Sequence, residues 1–484
     1  MPRLELPLVV PWIRLDQDAR AEEAAALRRA RDPSVAGFCL FGGEAAGVAS
    51  LTARLRDAAG RKPLFVASDM ERGAGQQVKG LRVLPDAGVF GAAATPDETI
   101  EFGRATAVDA RSVGVDVLFA PVIDVRSELS NPIVGNRSFG FDPDRTAALA
   151  CAFIDGAMEG GAVPTAKHYP GHGGTLADSH DAVPVVDEPA RRIFERDLRP
   201  FLQAIDCGCP AVMTAHVSYP TLDPSGAIAT FSKPILDRLV GALSDPADVA
   251  VFTDALLMAG ALGAGGETEA ARKALLAGCH GLLIPTDPER LAAEVLERAD
   301  EDLLARAETA AEALRRLGET ARALGEGHES RGPIDDAVFD RVAMRALQRA
   351  GCGRLERLAR GERIVVIDDD GTADRGVILE RRAQAAGVGV VIVRLGKGAK
   401  PPSIPSGKAP AGVVVMSSVR AWKGAADLSP LGQSLLEALQ AARPVPEVIR
   451  LSPRAGPWSM HVPGGGPAVE SALADLWFGP APAS

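Results

Sequence analysis

The chain has no run of apolar residues near the roughly 20 that a membrane-spanning helix needs, so a helical integral membrane protein is not expected. It also lacks any excess of positive charge. Against 63 Asp and Glu stand 53 Lys and Arg, a formal net charge of −10, which argues against a nucleic acid or an acidic membrane surface as partner. Cysteine is sparse. Of Cys39, Cys151, Cys207, Cys209, Cys279 and Cys352 only Cys207 and Cys209 are close, with no second pair to complete a zinc site. All six are therefore expected to be buried free thiols in a reducing compartment. The N-terminal stretch 4–13 is interrupted by Glu5, Pro7 and Pro11 and has no small-residue cleavage site behind it. No signal peptide is evident, and a cytoplasmic location is expected. No internal repeat is present.

What the chain does have is core material, 46% apolar residues, arranged in alternation over 484 positions. Continuous apolar runs at 8–13, 37–41, 63–68, 115–120, 162–166, 211–215, 249–253 and 281–284 read as strands buried on both faces. Segments with helical spacing lie between them, for example 45–58, 143–159 and 267–277. Eight strands alternating with helices predict an α/β fold with an N-terminal TIM-type (β/α)8 barrel; a doubly wound open sheet is the alternative. Asp69, Asp124, His168, His216 and Asp254 each follow directly on a strand end, where barrels carry their chemistry, and this favours the barrel. Helical patterns continue to residue 324 and yield to a polar, Gly-containing stretch at 325–333. The expected division is a barrel over 1–325, a linker over 326–335 and a smaller three-layer α/β domain over 336–484. In that domain 336–360 reads as helix, strands are expected at 363–367, 388–395, 412–416 and 446–451, and 397–410 as an exposed loop.

The densest chemistry sits in Lys167-His-Tyr-Pro-Gly-His-Gly-Gly-Thr-Leu-Ala-Asp-Ser-His180, which follows the fifth apolar run and holds three of the seven histidines. Its glycines permit tight turns and close approach of backbone to a ligand. Asp178 and His180 are two residues apart, near enough for the carboxylate to hold the imidazole, a pair suited to proton transfer. The string resembles the K-H-F-P-G-H-G…D-S-H signature of glycoside hydrolase family 3, in its β-N-acetylglucosaminidase branch. Other segments extend the resemblance over roughly residues 30–290. Phe119-Ala-Pro-Val-Ile-Asp-Val125, Asn131-Pro-Ile-Val-Gly-Asn-Arg-Ser-Phe-Gly140, Met213-Thr-Ala-His-Val-Ser-Tyr-Pro220 and Val251-Phe-Thr-Asp-Ala-Leu-Leu-Met258 all have family counterparts.

The resemblance implies roles for single residues. Asp254 is the nucleophile that forms a covalent glycosyl-enzyme, with His180, oriented by Asp178, as acid/base. Asp69, Arg137, Lys167 and His168 bind the terminal sugar. Arg72 falls in a loop whose order, Glu-Arg-Gly-Ala-Gly-Gln, departs from the family's D-x-E-G-G-R, and it is assigned to the same site. His216 is assigned either to the sugar or to packing behind it, while Asp124 and His172 are read as structural anchors of the loop. His280 stands where the family has Asp. The implied activity is that of a retaining β-N-acetylhexosaminidase releasing terminal β-linked N-acetylglucosamine from cell-wall fragments or chitin oligosaccharides, as in peptidoglycan recycling. No cofactor and no metal are expected, and the chain is expected as a monomer or homodimer with a carbohydrate substrate. The rivals are a phosphorylase using the same dyad and a non-catalytic sugar-binding protein. A zinc amidohydrolase is disfavoured because no H-x-H follows the first strand.

Overall fold

The structure, a computed structural model, describes the chain except residues 1–5, 17, 129–130, 132, 176–182, 242, 244, 259–260, 262, 264, 328–331, 371–374, 396–409, 418–427, 441–446, 452–459, 463 and 481–484. Two compact units form. One comprises Met1–Arg82, Thr99–Val125 and Phe141–Ile334; the other comprises Val83–Glu98, Arg126–Gly140 and Asp335–Ser484.

In the first unit the apolar runs become strands: β1 (Val9–Val10), β2 (Trp12–Arg14), β3 (Gly37–Phe41), β4 (Phe65–Ser68), β5 (Val117–Leu118), β6 (Val163–Tyr169), β7 (Ala211–Thr214), β8 (Ala250–Phe252) and β9 (Leu282–Leu283). All pairings are parallel, in chain order from β2 to β8. The ring closes because Gly281, just before β9, bridges Phe252 of β8, and β9 pairs with β1 in the register Val9–Leu282. β1 and β2 are one expected strand cut at Pro11, which has no N–H to donate but whose carbonyl accepts from Cys39 N at 2.8 Å. The result is the expected (β/α)8 barrel. Helices such as Ala45–Ala59, Pro143–Glu159 and Glu267–Ala277 alternate with the strands. Asp142, Ser232 and Asp287 cap their helices by accepting backbone N–H groups of the first turn.

The barrel interior is closed by aromatic rings. Phe252 meets Phe65 and Phe119 edge to face at 6.0 and 5.4 Å between centroids. Gly281 makes this possible, since a Cβ there would lie 2.3 Å from the Phe252 ring. Leu314, Leu317 and Ala321 join the same buried cluster from the helix Glu301–Glu326. The sequence reads as one helical tract over 288–324; the structure breaks it into Pro288–Glu297 and Glu301–Glu326, with Asp300 capping the second through Leu303 N.

His280, the departure from the family pattern, latches two barrel strands together. It is buried, its Nδ1 accepts Val251 N at 3.1 Å, and its own N–H donates to Val251 O at 2.6 Å. Burial pushes its pKa down to about 4, so the ring stays neutral.

The second unit is a parallel five-stranded sheet of β10 (Arg363–Asp368), β11 (Gly389–Arg394), β12 (Gly412–Met416), β13 (Glu447–Leu451) and β14 (Met460–Val462), in the order β11-β10-β12-β13-β14. Val365, Ile367, Val413 and Val415 face the helix Pro430–Gln440 through Leu436 and Leu439. Val366 and Ile392 lie on the opposite face, against Gly376 at the start of the helix Val377–Ala386. This is the expected three-layer arrangement. It adds a fifth strand, β14, too short to stand out in the sequence. The first helix, expected to residue 360, ends as Ala337–Arg349, where Gly351 turns the chain with φ +90°. The expected loop 397–410 lies almost wholly outside the described residues.

One expectation is overturned. Cys151 and Cys207 form a disulfide, with 5.9 Å between their Cα atoms, whereas Cys39, Cys209, Cys279 and Cys352 are free and buried. The pairing joins the helix Pro143–Glu159 to the end of the helix Arg199–Asp206, a proximity that spacing along the chain does not reveal. Thiol titration of the denatured, unreduced protein should therefore give four groups, and six after reduction; six before reduction would rule the bond out.

The second measurement concerns His280. Its folded pKa lies below the unfolded value of 6.5, so the unfolded chain binds more protons between those limits. The stability it contributes is complete above about pH 6.5 and is lost as pH falls towards 4. Between pH 7 and pH 5 this residue alone should cost about 2 kcal/mol. Urea unfolding of His280→Asn, which does not titrate, should show a pH 7-to-5 loss smaller by that amount; an unchanged loss would refute the assignment.

Candidate active site

The strand-end residues converge on two charge clusters in the first unit. Asp69 follows β4, and Lys167 and His168 stand near the end of β6. The Lys167 side chain is almost fully buried. Its Nζ lies 2.6 Å from Asp69 Oδ1 and 2.6 Å from Glu71 Oε1. A buried ammonium needs such partners, and here two carboxylates hold one cation. Asp69 stays about one-third exposed (31%), so its carboxylate faces outward while being fixed from behind. Glu71 was missed in the sequence. Its spacing of two from Asp69 puts both side chains on one side of an extended segment, a usable signal.

The second cluster is built on Asp124. The segment 121–124 runs along β6, with Ile123 N donating to Lys167 O at 2.9 Å and Lys167 N to Pro121 O at 3.2 Å. The Ala120–Pro121, Lys167–His168 and Tyr169–Pro170 peptides are cis. Asp124 is fully buried and accepts from His168 N at 3.1 Å, from His172 N at 2.6 Å and from His168 Nδ1 at 2.8 Å. A carboxylate can only accept, so His168 Nδ1 carries the proton of this bond. Burial opposes the Asp124 charge, but His168 and then His172 outweigh it and hold the pKa below the usual carboxylate value.

His172 is held apart from this exchange. The Thr175 hydroxyl donates to His172 O at 3.1 Å, so it accepts from the ring at Nδ1, at 2.8 Å. Burial first, and the neighbouring His168 second, push the His172 pKa down to about 4. Asp254 acts electrostatically on the same ring, which sets it on this side of the barrel.

Asp254 follows β8, and its Oδ1 accepts Ala255 N at 2.7 Å. His216, fully buried after β7, lies with Nε2 3.2 Å from Ala255 O and Nδ1 2.8 Å from Thr230 Oγ1. Both ring nitrogens thus have partners within the protein, one being the carbonyl next to Asp254. Arg72 is half-buried and its backbone N donates to Gln76 Oε1 at 3.0 Å. Arg137 belongs to the second unit, in the turn Gly135–Arg137, where Nη1 donates to Ile133 O at 3.0 Å. Asp178 and His180 lie outside the described residues. Among the described residues no group of three or more His, Cys, Asp and Glu is arranged to hold a metal ion, and no helix is long and apolar enough to cross a membrane.

A parallel (β/α)8 barrel with Asp, Lys and His gathered at the carboxyl ends of its strands has these side chains where barrel enzymes carry their chemistry. Residues 8–318 match the family model described as the glycosyl hydrolase family 3 N-terminal domain, and the chain belongs to that family. It is 38% identical over 286 residues to a β-hexosaminidase of Thiobacillus denitrificans, covering 57% of this chain and 78% of that one. Among solved structures, a glycoside hydrolase family 3 β-N-acetylglucosaminidase from Paenibacillus sp. str. FPU-7 superposes with a TM-score of 0.78 at 25% identity, over 99% of this chain and 97% of that one. NagZ from Neisseria gonorrhoeae superposes with a TM-score of 0.51 at 29% identity, over 68% and 99%. The chain is a glycosidase.

The geometry of Asp124 makes a direct prediction. Asp124→Ala leaves two buried N–H groups and an imidazole without their acceptor, and should cost about 3–5 kcal/mol. Asp124→Asn keeps an acceptor oxygen and should cost distinctly less. Equal unfolding free energies for the two variants would show that the carboxylate is not the anchor.

Proposed function

We propose that the protein is a retaining β-N-acetylglucosaminidase that releases terminal β-linked N-acetylglucosamine from cell-wall fragments or chitin oligosaccharides. The observation that carries this reading is the fixed pair Asp69–Lys167 beside His168 at the strand ends, in a chain that superposes over nearly its whole length on a β-N-acetylglucosaminidase. In this reading Asp69 accepts from sugar hydroxyls while Lys167 and His168 donate to them, with Asp69 held by Lys167 and His168 held by Asp124.

Asp254, at the end of β8, is the nucleophile in this reading. Its Oδ1 accepts Ala255 N, and His216 Nε2 lies 3.2 Å from the adjoining Ala255 carbonyl. His216, whose ring nitrogens lie against Thr230 and the Ala255 carbonyl, is proposed to support the nucleophile from behind the sugar site. His180, with Asp178 beside it in sequence, donates the proton to the departing oxygen and then takes one from water. Asp178 raises the imidazole pKa towards neutrality by favouring its charged form. Arg72 and Arg137 are proposed to contact the sugar. In this reading acid, base and nucleophile all come from stretches of the first unit, while Arg137 comes from the second, so the expected single boundary at 326–335 does not describe the division of residues 83–98 and 126–140.

Sequence features point to the cytoplasm and to peptidoglycan recycling. The Cys151–Cys207 bond favours an oxidising compartment instead, because such bonds are rare where thiols are kept reduced. Thiol counts on protein taken directly from the native cell would distinguish the two.

Asp254→Ala should abolish turnover of an aryl β-N-acetylglucosaminide without unfolding the chain. His180→Ala should lose on the order of 10²–10⁴ in rate with a poor leaving group and much less with an activated one. Azide, which needs no base, should then rescue the activated substrate as the β-azide. Equal losses with both substrates and no rescue would refute the acid/base assignment. Product analysis with and without phosphate separates hydrolysis from phosphorolysis.

A further inference from the structure

Lys167 shares its ammonium between two carboxylates of unlike exposure. Asp69 and Glu71 stand on the loop after β4, each with an oxygen 2.6 Å from Lys167 Nζ. The Asp69 side chain is 31% exposed and that of Glu71 10%, so Asp69 is the outer acid and Glu71 the inner one. The loop that carries them is pinned. Arg72 N donates to Gln76 Oε1 at 3.0 Å, Gln76 N to Gly73 O at 3.1 Å and Gly75 N to Arg82 O at 2.7 Å. A Cβ at Gly75 would lie 2.4 Å from Leu81 O, so the loop closes this tightly only with glycine there.

The lysine is fixed at its backbone as well. Its N–H donates to Pro121 O at 3.2 Å, its carbonyl accepts Ile123 N at 2.9 Å, and on the other side it is in register with Met213 of β7. What is left to turn is the ammonium at the tip of a flexible stem. A single carboxylate would let it rotate about one contact, whereas two hold it along two directions and so fix the direction of its remaining N–H. They also divide the electrostatic task. A lysine side chain only 2% exposed remains an ammonium because carboxylates face it. Were Asp69 alone, every sugar hydroxyl it accepted would weaken the charge that keeps Lys167 protonated.

We propose that Glu71 is a positioning residue for sugar binding, the counter-charge that keeps Lys167 protonated and aimed while Asp69 accepts the hydroxyls. This rests on the reading of Asp69 and Lys167 as sugar ligands. The ammonium is faced by Asp69 and Glu71 from the loop after β4 and by the buried Cys39 thiol from β3. Burial first, and the Asp69 charge second, push that thiol well up, so it stays neutral and supplies no counter-charge.

Glu71→Gln keeps the shape of the side chain and removes its charge. The readout is kcat/KM on an activated aryl β-N-acetylglucosaminide, whose leaving group needs no proton, so that its alkaline limb does not report the acid/base. We expect a fall of roughly 10- to 100-fold. A nearby carboxylate favours the ammonium, so its loss lowers the lysine pKa and should move the alkaline limb about 1–3 pH units lower. Glu71→Asp, with the charge on a shorter arm, should return the limb towards the parental pH while recovering only part of the rate. Because Glu71 acts through Lys167, adding Glu71→Gln to Lys167→Met should cost less than about threefold more than Lys167→Met alone. That double variant has no buried ammonium left to neutralise and is measurable even where Glu71→Gln is destabilised. An unmoved alkaline limb in Glu71→Gln, or a further loss of about tenfold or more in the double variant, overturns the positioning role; the sugar reading stands if Asp69→Asn and Lys167→Met each still lose about 100-fold. If those two variants keep parental kcat/KM, the sugar reading fails and the role of Glu71 fails with it.

Discussion

Asp124 is the constraint on which the rest of the site depends. One carboxylate, buried completely, satisfies two backbone N–H groups four residues apart and one imidazole N–H. No side chain with a single acceptor atom could do this. Because a buried ion is costly to leave short of partners, the turn from His168 to His172 has essentially one conformation in which Asp124 is satisfied. That conformation aims His168, fixes the proton on its Nδ1 and leaves His172 neutral behind it. The site is rigid because an unavoidable electrostatic debt is settled locally.

Much of this was legible in the sequence for a simple reason. Barrel strands are buried on both faces and so read as uninterrupted apolar runs, and the polar residue that ends each run is then a residue at the catalytic rim. Asp69, Lys167, His168 and Asp254 are placed at strand ends in this way from local pattern, while the roles proposed for them come from the family resemblance. Asp124 was correctly separated from them as an anchor because it closes a strand-end segment in which backbone donors need an acceptor.

What escaped is what depends on distant parts of the chain meeting. Cys151 and Cys207 are 56 residues apart and are joined by the packing of two helices, while the pair close in sequence, Cys207 and Cys209, is not joined at all. The assignment of residues 83–98 and 126–140 to the second unit is equally invisible, since nothing in their composition marks which core they serve. His280 is a subtler case: the substitution was plain, but its meaning required seeing that the ring accepts a hydrogen bond from β8, as a carboxylate at that position could.

The seam between β1 and β9 has a consequence for how the protein is made. Val9 is synthesised before its partner Leu282, which is produced only after every other strand of the barrel. At elongation speeds of about 5–20 residues per second, the first strand waits on the order of tens of seconds with its hydrogen-bonding edge and its apolar side chains uncovered. Loops that long also make ring closure the slow, entropically costly event of folding. Pro11, which interrupts the donor row of that waiting edge between β1 and β2, leaves it a poorer template for a neighbouring nascent chain. The residue that splits the first strand in the finished barrel thus also guards it during synthesis.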